Sequence, residues 1–242
     1  MTQKGALMKI ITENLRGKAD HGWLKSAHSF SFADYYHPEF VHFGLLRVLN
    51  DDWIAPSMGF GMHPHHDMEI ITIPLSGQVK HEDSMGNKTI IKRGEVQIMS
   101  AGTGIRHSEV NPSVHEPLEL FQIWVFPKEK NLTPRYEQKM IMENEGFNLI
   151  VSPDGSETAV KIHQGAYFSW LVQSKTSEAT YQKFRSQNGV YLIVVEGEIE
   201  IQGQKLSRRD AATFVANEND LKIMKTSDKA VTLLMEIPLS LS

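Results

Sequence analysis

The chain of 242 residues carries 25 lysines and arginines against 29 aspartates and glutamates, a formal net charge of -4, and no cysteine. That length supports one large or two medium domains with real hydrophobic cores, and the charge gives no general attraction to a phosphate backbone, so direct nucleic acid binding is not expected. The lack of cysteine excludes disulfides, thiolate nucleophiles and cysteine-ligated clusters, leaving histidine nitrogen and carboxylate oxygen to hold any metal.

At the N-terminus, Met1 to Ile11 has its only apolar stretch broken by Lys9, too short and too charged for a signal peptide. Nowhere do about 18 apolar residues run together, as a membrane span requires. A soluble, cytoplasmic protein is expected, with the segment before Met8 an optional extension. From about Gly44 onward, short runs rich in Val, Ile and Leu are separated by Gly, Asp, Asn and Pro, the pattern of sandwiches and barrels. Ile70–Leu75, Val79–Glu82, Thr89–Ile91, Val96–Met99 and Leu120–Phe126 are predicted strands, with Met85-Gly86-Asn87 as a turn. Only one or two short helices are expected.

An internal repeat divides the chain. Leu75-Ser-Gly77-Gln-Val79 recurs as Val195-Glu-Gly197-Glu-Ile199, and each is followed by a hairpin and a charged turn, Arg93-Gly94-Glu95 and later Arg209-Asp210. The expected architecture is all-β, two copies of one β-barrel joined between Pro127 and Val151, with domains at 1–135 and 136–242.

His63-Pro64-His65 places two imidazoles at i and i+2, on the same side of an extended chain and close enough to share an ion. Pro64 lacks an N–H and suits the start or edge of a strand. A second pair, His107-Ser108-Glu109, has the same spacing and follows the turn Ala101-Gly102-Thr103-Gly104. Two such pairs on neighbouring strands make a four-ligand site. Three imidazoles and one carboxylate suit Fe(II), Mn, Co, Ni, Cu(II) or Zn. On a six-coordinate ion they leave two positions open, for a substrate oxygen beside dioxygen or water, whereas a structural zinc site closes at four. Counting within the repeat puts Lys183 and Arg185 at the places of His63 and His65, and Lys222 and Met224 at those of His107 and Glu109, so only the first half is expected to bind metal. His66 is expected to point away from the site. His28, His81 and His163 have no partner at metal spacing, and Trp23, Phe30, Phe32, Tyr35 and Tyr36 are read as core. Lys205, Arg208 and Arg209 are read as a solvated turn.

Gly61-Met-His63-Pro-His65 with Glu69 and Gly77 resembles the first cupin motif, and Gly104-Ile-Arg-His107-Ser-Glu109-Val-Asn111 the second. From about Met8 to Pro238, including Gly22-Trp23-Leu24, His28-Ser-Phe30-Ser-Phe32 and Met99-Ser-Ala-Gly-Thr-Gly-Ile-Arg-His107, the chain is similar to the pirin family, and within it to bacterial pirin-like quercetin 2,3-dioxygenases. The resemblance implies a bicupin of jelly-roll type with one divalent metal, Fe(II) first among the candidates. Its ligands would be His63, His65, His107 and Glu109, with Glu69 unbound. It further implies a dioxygenase that opens a flavonol with O2 and releases CO, Glu109 doubling as the base. The alternative it implies is a metal-containing redox-sensing regulator that docks to a protein partner. A monomer is expected.

Overall fold

The computed structural model describes residues 8–215 and 220–240; the segment before Met8 lies outside them. The structure is built from strands, with one 3-10 turn, Glu13–Leu15, as its sole helical element among the described residues. The predicted strands appear as Glu69–Ser76, Gln78–Asp83, Lys88–Lys92, Glu95–Ser100 and Leu118–Val125, with Gly86 at a positive φ of 94° in the expected turn. No helix among the described residues is long and apolar enough to cross a membrane.

Each half is a sandwich of a seven-stranded and a four-stranded sheet. The barrels expected from the sequence are thus realised as two-sheet cupin sandwiches, because no strand carries the hydrogen-bond ladder from one sheet into the other. The first large sheet runs in the order Arg135–Met140, Glu95–Ser100, Glu69–Ser76, Leu118–Val125, Leu46–Ile54, Leu24–His28, Gly17–Asp20. Facing it, the small sheet runs Gly59–His65, Ile105–Val110, Gln78–Asp83, Lys88–Lys92, which leaves Pro64 on an edge strand where its missing N–H costs no ladder bond. By hydrogen bonding, Met8–Ile11 pairs with Ala211–Phe214 of the second half, while Arg135–Met140 completes the first sheet. The halves drawn at 1–135 and 136–242 therefore exchange their bordering strands.

The repeat is visible in backbone detail. Gly77 and Gly197 both take positive φ, 71° and 75°, and so do Gly94 and Arg209, 84° and 75°. In each half the carboxylate that follows accepts a backbone N–H three residues back: Lys92 N–H to Glu95 and Ser207 N–H to Asp210.

The large sheets pack back to back. Leu49, Ile71, Ile73, Phe121 and Ile123 of one half and Tyr191, Ile193, Leu233 and Met235 of the other belong to a single buried cluster. Strands buried on both faces explain why Glu69–Ser76 and Ala230–Ile237 read as continuous apolar runs and not as alternations. A polar clamp crosses the same junction: Arg209, predicted as solvated, is 7% exposed, and its Nε donates at 2.7 Å to Asp51, which also pairs with buried Arg16 at 3.3 Å. The Arg209 guanidinium lies over the Phe121 ring, 5.2 Å from the centroid.

The interiors of the two sandwiches differ. The second is filled by one cluster that includes Leu171, Tyr181, Leu192, Leu221, Ile223 and Leu234. The first is split into two small clusters, one around Ile54 and Leu120 and the other around Ile70 and Met99.

Candidate metal centre

A polar row lies in the first sandwich where the second is mostly apolar. Residues in register across the inner face of the large sheet are His28, Asn50, Gln122, Thr72 and Gln97. Across the second large sheet the matching register runs Leu149, Ser169, Leu234, Leu192 and Ala212. Buried polar side chains in a row require partners. Those of Thr72 and Gln122 come from the opposite sheet: Thr72 Oγ1 donates to Glu109 Oε1 at 2.9 Å, and Gln122 Nε2 to Glu109 Oε2 at 2.6 Å. Glu109 is 2% exposed and held at both oxygens.

The small sheet supplies the histidines. His63 sits directly across from His107 on the neighbouring strand. Ring centroids are 4.4 Å apart for His63 and His107, 4.8 Å for His63 and His65, and 4.9 Å for His65 and His107. His63 Nδ1 lies 2.8 Å from the Gly61 carbonyl and donates to it, which leaves Nε2 with the lone pair. Gly102 sets the approach to the His107 strand: at φ 47°, a Cβ there would meet the Leu132 carbonyl oxygen at 1.9 Å. The walls beside the histidines are Phe32, Phe60 and Trp124, with the Trp124 ring edge-on to His65 at 5.0 Å. Together they enclose a cavity of about 190 Å³.

The structure brings His63, His65 and His107 together with ligand atoms within 4.8 Å of one another, and groups His107 and Glu109 in the same way with His81. Glu109 therefore joins the site through His107, and the four predicted residues form two overlapping groups. His81, set aside in the sequence for want of a partner at metal spacing, belongs to the second group. It is fully buried, lies across from Glu109 in the ladder, and places Nε2 3.2 Å from Asp83. The signal was available, since His81-Glu-Asp83 is itself an i, i+2 pair on a neighbouring strand. Phe32 was read as core and lines the cavity, whereas Phe30 is core. His66 is turned away against Asp67. Glu69 is buried elsewhere, accepting from Ser100 Oγ at 2.9 Å and from the His163 backbone at 3.0 Å across the junction of the halves.

The repeat equivalences need correction. In the observed ladders His81 and Glu109 face each other, as do Ile201 and Ile223, so Glu109 corresponds to Ile223 and His107 to Leu221. His63 pairs with His107 as Tyr181 pairs with Leu221. The matches to Lys222, Met224 and Lys183 were slips of one and two residues, because loop lengths differ between the halves. The equivalents of three predicted ligand positions are thus buried core residues.

The donor set fits a divalent ion. Both ring nitrogens of His107 are buried without a hydrogen-bond partner, which is costly unless something completes them. Burial, then His63 and His81, push His107 down to about 3; burial, then His107 and His63, push His65 to about 4, against Glu109. Both stay neutral at pH 7 with lone pairs to give. Asp52, in the same cavity wall, moves the other way: burial, with help from Asp51 and Glu109 and against a hydrogen bond from Ser26, raises it to about 7.

These shifts predict a pH profile for the metal-free protein. Between about pH 4 and 6.5 the unfolded chain gains protons on two imidazoles that the folded protein excludes, while the folded protein keeps one on Asp52 that the unfolded chain has lost. The unfolded state binds up to one proton more, so stability falls as pH drops through this window, by at most ~1.4 kcal/mol per unit. In Asp52→Asn the opposing contribution is gone and the slope steepens towards twice that. Urea midpoints at several pH values check both slopes; a flat profile in both proteins contradicts the assignment.

Comparison with known proteins places this geometry. A family described as Pirin matches residues 10–125, and one described as Quercetinase C-terminal cupin domain matches residues 149–237. The chain is 47% identical over 226 residues, 93% of its own length and 96% of the relative's, to quercetin 2,3-dioxygenase of Escherichia coli (strain K12). It is 38% identical over 224 residues, 90% and 94% of the two lengths, to a pirin-like protein of Caulobacter vibrioides. Among solved structures, the bacterial pirin YhhW from Escherichia coli in complex with nickel(II) matches with a TM-score of 0.90 at 45% identity, covering 96% of this chain and 99% of that one.

Proposed function

This chain belongs to the pirin family, and from that premise we propose that it is a metal-dependent dioxygenase cleaving flavonols such as quercetin with O2 and releasing CO. The observation that carries the reading is a three-histidine cluster opening onto an aromatic-walled cavity with one carboxylate held at its floor. A regulatory site has no need of a slot for a planar ring.

His63, His65, His107 and Glu109 would hold the ion, and the donor set suits several first-row metals. A divalent ion held there supplies Lewis acidity, lowering the pKa of a coordinated hydroxyl. Phe32, Phe60 and Trp124 orient the flavonol and keep water from the reacting ring. Glu109 takes the 3-hydroxyl proton: the enolic O–H bond breaks as an O–H bond forms on the carboxylate. Thr72 and Gln122 occupy one lone pair on each oxygen, and a carboxylate has others to spare. His81, buried against Asp83, stands beside His107 and Glu109.

Glu109→Gln keeps the shape and removes the base. The variant is expected to retain partial nickel binding and to lose turnover by about 10²–10⁴-fold, the usual contribution of a general base. Metal content and oxygen uptake on one preparation check this; uptake near the wild-type rate removes Glu109 from the base role.

A further inference from the structure

The polar lining of the cavity continues past the residues that hold Glu109. Ser26 and His28 pair in register with Asp52 and Asn50, and all four are 4–5% exposed. Ser26 Oγ donates to Asp52 Oδ1. His28 Nδ1 lies 2.8 Å from Asn50 Oδ1 and 3.2 Å from Ser26 Oγ. All four side chains line the space that His63, His65 and His107 also line.

The fold does not require them. Asp52 pairs with Leu120, as Leu171 pairs with Thr232 at the matching place in the second half, and Leu171 is fully buried in an apolar core. A buried carboxyl group is costly where leucine would do. Ser26 provides the one hydrogen bond to the Asp52 carboxyl group among the described residues, so the other carboxyl oxygen keeps its capacity for a ligand.

Resting on the dioxygenase reading, we propose that Asp52, supported by Ser26, is the specificity residue that hydrogen-bonds a ring hydroxyl of the substrate remote from the metal, so that the cavity selects polyhydroxylated flavonols. Aromatic walls grip any planar ring and cannot tell a hydroxylated one from a bare one; a buried polar partner can, because it is left unpaired when the hydroxyl is missing. With its carboxyl held near neutrality, Asp52 can donate to a phenolic oxygen as well as accept from its O–H.

The test is equilibrium binding, without oxygen, of quercetin and of 3-hydroxyflavone to nickel-loaded protein, followed by tryptophan quenching. The second compound keeps the metal-binding hydroxyl and carbonyl and lacks the other hydroxyls. Wild type is expected to favour quercetin about tenfold, the value of one net hydrogen bond. Asp52→Leu should lose that factor for quercetin and bind 3-hydroxyflavone within about twofold of wild type; Asp52→Asn, which keeps a donor and an acceptor, should restore part of it and serves alone if the leucine variant does not fold. Equal weakening of both ligands, no change in either, or no binding of quercetin to wild type overturns the proposal. Selective loss in Asp52→Leu, in a protein that turns over no flavonol whichever metal is loaded, leaves the recognition wall standing and removes the dioxygenase reading.

Discussion

Replacing His107 with alanine is expected to abolish tight metal binding, reducing affinity by well over the 10–100-fold typical of losing a mere supporting contact. His107 belongs to both three-residue groups at the site, so its loss dismantles the His63–His65 cluster and the connection to Glu109 together. No other histidine among the described residues near the site stands ready to replace it: His81 is anchored to Asp83, and His66 is turned outward against Asp67. In wild type, nickel at about a hundred times its Kd should stabilise the fold by ~2.7 kcal/mol, seen as a rise in Tm. The variant should show no such rise. Calorimetry and metal analysis after dialysis measure both effects, and stoichiometric nickel retained by His107→Ala contradicts the assigned centre.

The largest loss of stability is expected far from the metal, at Asp51. Its carboxylate meets two guanidinium groups that the packed junction has taken out of water, Arg16 at 4% and Arg209 at 7% exposure. Asp51→Ala leaves both charges buried with only weaker partners, such as Glu119 at 3.8 Å from Arg209. Removing one member of a buried ion pair costs about 3–5 kcal/mol, which in a chain of this size lowers Tm by roughly 10 °C. The counterpart is a swap of the cluster for apolar residues, Asp51→Leu with Arg16→Met and Arg209→Met, expected to recover most of the loss because desolvated charges give little net stability even when paired. A loss below ~1 kcal/mol in Asp51→Ala would place the clamp with ordinary surface pairs.

The parts of this structure that were legible in the sequence are those where one physical demand acts alone. Glu69–Ser76 and Leu118–Val125 are buried on both faces and mostly apolar because they separate two interiors, and their runs mark strands without ambiguity. His63, His65, His107 and Glu109 stood out because i, i+2 pairs on extended chain share a face. Where two demands meet, the pattern blurs. Leu24–His28 faces the cavity with Ser26 and His28, so the alternation that would announce a strand is filled with polar groups, and the N-terminal strands were missed. His81 and Asp52 were hidden for the same reason: each looks like a polar residue in a half-exposed strand until its partner across the sandwich is known. Arg209 sits in a charged turn that the packing of the halves buries, a fact of tertiary arrangement that local composition does not carry. The repeat counted correctly from glycine to glycine and slipped beyond, since only hydrogen-bond register, and not residue number, fixes which side chains share a place.

One metal in the first sandwich, facing an aromatic cavity, is proposed to turn over flavonol with dioxygen. The direct measurement loads the purified protein separately with Fe(II), Mn, Co, Ni, Cu and Zn and follows quercetin loss, oxygen uptake and CO release together, with His107→Ala as the control. The account predicts that at least one metal gives oxygen consumption and CO release stoichiometric with quercetin loss, and that the control gives neither. Tight binding of every metal with no turnover would contradict it, and would make the chain a metal-dependent binding protein whose partner is then the object of search.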